Sequence, residues 1–153
     1  MKRNWKSKIS IYAHVEKSDF SDTTIDQFFQ NYSLHDSYLL SFQVNGIDEV
    51  ILVFQIDPSW SEDFGKFRES DVSKWPIVVL NFLGVDSFQS NLKNHSMQVG
   101  FSGVDIRPEG EKREVSIHGT YGDEYRILAS NKMCYACIDS KYEKIALNKL
   151  MKS

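Results

Sequence analysis

The chain has 153 residues, of which 41% are hydrophobic and 13% are aromatic. This apolar content can offset the conformational entropy lost on folding, which excludes a disordered chain and predicts a single domain covering residues 1–153. The 18 Lys and Arg residues against 21 Asp and Glu residues give a formal net charge of -3. Such a chain has no general positive field, so we expect neither nucleic acid nor a membrane surface as its partner.

The first residues and the cysteines bear on the cellular compartment. The basic start MKRNWKSK is followed by apolar residues that alternate with polar ones, unlike the continuous apolar core of a secretion signal. No window approaches the ~18 apolar residues that a membrane-spanning helix needs. Two cysteines do not make a disulfide framework, which agrees with a reducing compartment. The sequence therefore predicts a cytoplasmic protein.

The first predicted elements are a strand and a short helix. From Lys8 to Glu16 the apolar residues alternate with polar ones, which is the period of a strand. Thr24 and Gln27 then have capping-box spacing at the start of an amphipathic helix. The apolar residues of that helix recur at i, i+3, i+4 and i+7: Ile25, Phe28, Phe29 and Tyr32.

A hairpin is predicted next. Apolar and polar residues alternate from Tyr38 to Val44, and the run ends at Asn45-Gly46, a dipeptide typical of tight turns. A second run, from Glu49 to Asp57, has apolar residues on both faces. The two runs predict a pair of antiparallel strands.

Further strands are predicted in the second half of the chain. Apolar runs cover residues 77–88, 97–107, 113–122 and 124–139, with turn residues between them. Residues 141–153 have helical spacing and predict a C-terminal helix. The expected fold class is α+β, with a mainly antiparallel sheet arranged as a sandwich or a partly closed barrel, one short helix in the N-terminal half and this terminal helix.

The His35-Asp36 step lies between the predicted helix and the hairpin. A catalytic dyad with Ser33 or Ser37 as nucleophile is one interpretation. Adjacent residues rarely hold that geometry, and no Gly-x-Ser-x-Gly elbow marks an activated serine. The pattern therefore favours a structural corner, in which His35 or Asp36 hydrogen-bonds the backbone where the chain turns into the strand.

The remaining polar motifs do not predict a metal or cofactor site. Cys134 and Cys137 have the Cys-x-x-Cys spacing of redox and zinc sites, but they lie in a predicted strand, where residues three apart point to opposite faces. We expect buried free thiols. The carboxylate pair Asp123 and Glu124 lies in charged, loop-like surroundings and is expected to be solvated surface, as is the pair Glu62 and Asp63.

The long segment between Asp57 and Pro76 combines large aromatic residues with acids. Loops of this length inside a compact domain are usually functional or disordered. Apolar anchors beside carboxylates suit the binding of a basic protein partner, while the alternative is that the aromatic residues pack inward as a plug on the sheet. The predicted partner-binding residues are Trp60, Glu62, Asp63, Phe64, Phe67, Glu69, Asp71 and Trp75.

A resemblance to a family enters at Leu34-His35-Asp36-Ser37, which leads into the alternating strand and its hairpin. This step resembles small bacterial immunity-type proteins that accompany polymorphic or contact-dependent toxins. The resemblance implies a protein without catalysis or cofactor that binds a cognate toxin domain, such as a nuclease with a basic surface, and covers its active site. The alternatives are a small-molecule-binding barrel, suggested by the strands that are apolar on both faces, and a hydrolase that uses His35.

Overall fold

The computed structural model of the chain describes residues 17–46, 48–61, 70–91, 101–120 and 122–138. The predicted strand from Lys8 to Glu16 and the predicted C-terminal helix lie outside these ranges.

The regular elements within the described ranges are one α-helix, short 3₁₀ segments and antiparallel strands. The helix, α1, is Ile25–Asn31, and the 3₁₀ segments are Lys17–Asp19, Pro58–Trp60 and Val72–Lys74. The strands are β1 (Ser21–Thr24), β2 (Tyr38–Asn45), β3 (Glu49–Gln55), β4 (Ile77–Leu83), β5 (Ser87–Asn91), β6 (Phe101–Glu109), β7 (Lys112–Gly119), β8 (Glu124–Ser130) and β9 (Lys132–Ile138).

The described strands form two sheets. The first sheet has the order β1-β9-β4-β3-β2 and the second has the order β5-β8-β7-β6. Every pair of neighbouring strands is antiparallel. The sheets share a core and are not closed into a barrel, so the predicted α+β class with mainly antiparallel strands is confirmed.

Helix α1 begins where its sequence predicts. The Thr24 side chain accepts a hydrogen bond from the Gln27 backbone N–H at 3.1 Å, which satisfies one free donor of the first turn. The side chains of Ile25 and Phe28 are buried in the core. The helix ends at Asn31, and Tyr32 follows as its C-cap with an extended backbone.

The predicted hairpin is also present. β2 pairs with β3 from Tyr38 opposite Gln55 to Asn45 opposite Glu49. The connecting turn contains Gly46 with φ +66°, a left-handed conformation that glycine adopts without steric cost. The register shifts between Leu39 and Ser41, so the first part of β2 carries a bulge.

The main hydrophobic core lies between the two sheets. One face of the first sheet, the inner face of the second sheet and the helix all contribute to it. Its buried side chains include Ile25, Phe28, Val50, Leu52, Phe54, Val78, Leu80, Phe82, Val115, Ile117, Ile127 and Ala129.

A second hydrophobic cluster occupies the opposite face of the first sheet. Its buried members are Ile51, Val53, Ile77, Val79, Ala136 and Ile138, and Phe20 and Leu40 pack against them. The apolar residues on both faces of β3, which suggested a barrel with an internal cavity, therefore belong to two separate packed clusters.

Candidate functional site

The candidate site is the corner between α1 and β2, residues 33–37. Asp36 has φ +61° and is the one described non-glycine residue with a positive φ. Asp tolerates this left-handed conformation better than most side chains because its short polar group can bond locally. The chain reverses direction here, and the Ser37 N–H donates to the Leu34 carbonyl at 2.9 Å.

The corner is tied to two distant segments through its backbone. The Asp36 N–H donates to the Phe101 carbonyl at 2.8 Å, and the Phe101 N–H donates to the Ser37 carbonyl at 3.2 Å. The fully buried Ser37 hydroxyl accepts from the Asp57 N–H at 3.1 Å. The corner thus joins the start of β6 to the segment that follows β3.

Ser33 and Ser61 make a further link. The Ser61 hydroxyl accepts from the Ser33 N–H at 2.9 Å, and the Ser33 hydroxyl accepts from the His35 N–H at 3.1 Å. Serine side chains, and not those of His35 or Asp36, make these bonds to the corner backbone. The two serines considered as nucleophiles, Ser33 and Ser37, are both engaged with backbone N–H groups.

His35, Asp36 and Trp60 form a surface cluster. The indole N–H of Trp60 donates to Asp36 Oδ2 at 3.2 Å, and the Trp60 ring lies 4.1 Å from the His35 ring, centroid to centroid. His35 Nδ1 is 3.1 Å from Asp36 Oδ2, but the contact lacks the geometry of a hydrogen bond. We call this group the Trp60 cluster.

The cluster brings together two predictions that the sequence kept separate. His35 and Asp36 were predicted as a structural corner, and Trp60 was predicted as a partner-binding residue 24 positions later. Trp60 remains 48% exposed even though both polar neighbours contact it. The result is a large aromatic side chain at the protein surface whose orientation is restrained by two contacts.

The other predicted partner-binding residues differ in their surroundings. Trp75 is only 7% exposed and stacks on Tyr38 with ring centroids 6.0 Å apart, which matches the inward-packing alternative. Asp71 is exposed. Glu62, Asp63, Phe64, Phe67 and Glu69 lie outside the described residues.

Asp71 is an exposed carboxylate with two hydrogen-bond donors. Its Oδ1 accepts from the Ser73 hydroxyl at 2.7 Å and from the Ser73 N–H at 3.1 Å, which caps the segment Val72–Lys74. These two bonds, and the charge of Lys74 to a smaller extent, hold the pKa of Asp71 below its ordinary value. The group therefore keeps its negative charge into more acidic solution than an ordinary aspartate does.

The thiols and the remaining carboxylates behave differently from reactive or metal-binding groups. Cys134 is half-buried and Cys137 is buried, and neither is part of a disulfide. Burial, followed by the charges of Asp22 and Glu49, raises the pKa of Cys134, which disfavours the reactive thiolate. Within the ranges that the structure describes, no group of three or more His, Cys, Asp or Glu side chains could hold a metal ion.

The expectation that Asp123 is solvated is wrong, because its side chain is only 1% exposed.

Sequence reasoning missed one apolar surface. Phe42 and Val44 on β2 are 45% and 55% exposed. The Phe42 ring contacts those of Phe88 and Tyr125, with centroids 5.7 Å and 6.1 Å apart. Alternation places Phe42 and Val44 on one face of the predicted strand, but it does not indicate that both side chains stay about half exposed.

Comparison of the chain with protein-family models, with curated proteins and with solved structures finds no match. The described residues include no helix that is both long and apolar enough to cross a bilayer. The geometry of the Trp60 cluster is therefore the main structural basis for a functional proposal.

Proposed function

We propose that the chain is an immunity-type protein that binds a cognate bacterial toxin domain and neutralises it by covering its active site, without catalysis of its own. The observation that carries this proposal is the exposed Trp60 side chain, fixed by the Asp36 carboxylate and the His35 ring. The resemblance of the Leu34 to Ser37 step to immunity-type proteins points in the same direction.

A fixed tryptophan is well suited to binding a protein. Residues that dominate binding energy at interfaces are enriched in Trp, and a side chain that is already ordered loses less entropy when the partner arrives. Trp60 has both properties, since two neighbours restrain its ring and about half of its surface is still available.

The charges near this surface favour a basic partner. The Asp36 carboxylate is exposed within the Trp60 cluster, and the chain as a whole has a formal net charge of -3. Carboxylates around an apolar anchor accelerate association with a positively charged surface. A nuclease domain, whose substrate-binding surface is basic, is the toxin class that fits this charge pattern.

The test begins with the product of the neighbouring upstream gene. Production of that protein alone should stop the growth of a bacterial host, and co-production of this chain should restore growth. The purified proteins should form a 1:1 complex, detected by light scattering and calorimetry. Absence of both protection and a complex would contradict the proposed function.

A substitution at Trp60 tests the proposed surface. Trp60→Ala should weaken the complex by about 30-fold or more, which corresponds to the ~2 kcal/mol loss typical of an interface hot spot. Gln89→Ala is the control, because Gln89 is exposed but lies on β5 and is not part of the cluster. Equal affinity of Trp60→Ala and the wild type would remove this surface from the interface.

A further inference from the structure

The edge of β2 is a second surface with unusual properties. β2 is the last strand of the first sheet, and no strand in the described part of the chain pairs with its outer side. The backbone N–H and C=O groups on that side are those of an edge strand, which can pair with another strand. Phe42 and Val44, both about half exposed, lie on the same strand.

The orientation of Phe42 and Val44 explains their exposure. Phe42 is opposite Leu52 and Val44 is opposite Val50, and both β3 residues are buried in the main core. Phe42 and Val44 therefore project from the core face of the sheet, at its rim. Phe42 reaches the ring of Phe88 on β5, so the apolar surface continues from one sheet to the other.

The other three sheet edges carry features that discourage pairing. β1 has four residues and includes Asp22. β5 has five residues, and β6 carries charged residues together with Pro108. Short length, charge and proline are the usual protections of edge strands. β2 has eight residues, YLLSFQVN, and no charge.

One protective feature is present on β2, and it limits the usable part of the edge. The bulge between Leu39 and Ser41 interrupts regular geometry near the start of the strand. The segment from Ser41 to Asn45 has an uninterrupted register with β3. A strand added to this edge would therefore pair with that segment.

We propose that the β2 edge binds the β2 edge of a second copy of this chain, with antiparallel pairing centred on Gln43. In this register Phe42 lies opposite Val44 of the second copy, and the same pair forms again across the twofold axis. Pairs of an aromatic and a β-branched residue are among the favourable cross-strand pairs. Ser41 lies opposite Asn45 of the second copy, so no like charges meet.

A second copy fits this edge better than a charged peptide does. The segment Ser41 to Asn45 offers no charged group for a peptide to pair with, and in the proposed register it places apolar residues opposite apolar ones and polar residues opposite polar ones. Across a twofold axis, the backbone N–H and C=O groups on the outer side of β2 in one copy face those of the other copy. The two first sheets would then form one continuous sheet in which Phe42 of each copy contacts Val44 of the other.

The oligomeric state of the full chain tests the proposal. Sedimentation equilibrium from micromolar to millimolar concentration should detect a dimer. Gln43→Lys places two ammonium groups opposite each other at the centre of the interface and should yield a monomer with an unchanged circular dichroism spectrum. Gln89→Lys is the control, because it makes the same change on the exposed β5 edge and should leave the dimer intact.

Cross-linking tests the register. In the proposed pairing, residue 43 lies directly opposite itself, at a Cα separation of about 4.5–5.5 Å that permits a disulfide. Gln43→Cys should therefore form a covalent dimer under mild oxidation, while Ser41→Cys and the wild type should not. A covalent dimer through Ser41→Cys alone would overturn the register.

Two further outcomes would overturn the proposal. One is a dimer that Gln43→Lys leaves intact, because the interface would then lie elsewhere. The other is a wild-type chain that stays monomeric over the whole concentration range. If such a monomer also protects the amides of residues 41–45 from hydrogen exchange, another segment of the same chain occupies the edge.

Discussion

Asp36 combines an unusual backbone conformation with a specific side-chain contact. Its φ of +61° turns the chain from α1 into β2, and its N–H donates to the Phe101 carbonyl. Its carboxylate accepts the indole N–H of Trp60. The aspartate that follows His35 thus orients an exposed aromatic ring while it also forms the corner, which gives this pair an architectural role in the geometry described.

Asp36→Ala should lower the free energy of unfolding by about 1–2 kcal/mol, because alanine is strained at positive φ and cannot accept the Trp60 N–H. Urea denaturation measures this loss. Asp36→Gly separates the two causes, since glycine relieves the backbone strain but also lacks the carboxylate. A variant Asp36→Ala as stable as the wild type would exclude a structural role for this residue.

Asp71 gives a pH-dependent prediction. The pKa of Asp71 is lowered in the folded protein by the Ser73 hydroxyl, then by the Ser73 N–H. A carboxyl whose pKa is depressed on folding contributes stability above its unfolded pKa, and this contribution is lost as the pH falls through the folded pKa. Ser73→Ala should therefore raise the pKa of Asp71 toward the ordinary value of an aspartate.

Carboxyl-carbon NMR titration measures the pKa of Asp71 directly. Ser59→Ala provides a matched control, because Ser59 bonds to Asp57 in the same way that Ser73 bonds to Asp71. That change should leave the Asp71 titration where it is. An unchanged Asp71 titration in Ser73→Ala would show that the hydroxyl does not stabilise the carboxylate.

The β2–β3 hairpin depends on one glycine at its turn. Gly46 has φ +66° with no atom within 4 Å of the position where a Cβ would lie, so conformation and not space limits substitution. Gly46→Ala should lower the free energy of unfolding by roughly 1 kcal/mol. Gly103→Ala is the control, because Gly103 has equal space and no positive φ. Equal stability of the two variants in urea would contradict this explanation.

The elements that local patterns specify were predicted well. α1 and the β2–β3 hairpin follow from capping, spacing and turn residues within short segments. The apolar run of residues 77–88 did not predict where its strands end. The structure divides this run between β4 and β5, which belong to different sheets. Gly84, with φ +56°, lies at the division. Alternation indicates which face a residue occupies, but it does not indicate which sheet the strand joins.

The candidate site could be predicted only in parts. The corner follows from the polar residues between a helix and a strand, and the aromatic segment follows from its composition. The contact of Asp36 with Trp60 joins residues 24 positions apart. The segment around Trp60 is tied to the corner by the Ser61 hydroxyl, which accepts from the Ser33 N–H, and by the Asp57 N–H, which donates to the Ser37 hydroxyl. Such contacts depend on tertiary structure, which the periodicity of a single sequence does not specify.

At the scale of the whole molecule, the first sheet is the central layer of the described fold. Its β3 and β4 strands have buried apolar side chains on both faces, which belong to the main core and to the second cluster. This arrangement explains why their sequences are nearly continuous apolar runs, whereas β7 and β8 of the second sheet alternate. If the main core and the second cluster both depend on the first sheet, we expect residues 1–153 to unfold as one domain.

Neighbouring residues on β3 test this dependence. Ile51 lies in the second cluster and Leu52 lies in the main core, and each is at most 1% exposed. Ile51→Ala and Leu52→Ala should each lower the free energy of unfolding by about 2–5 kcal/mol, because each leaves a cavity in a packed cluster. Gln89→Ala, at an exposed position of β5, should change it by about 0.5 kcal/mol or less. If circular dichroism and tryptophan fluorescence report one shared urea transition for both core variants, the clusters unfold together. Separate transitions, or an Ile51→Ala variant as stable as the wild type, would mean that the second cluster does not contribute to a common domain.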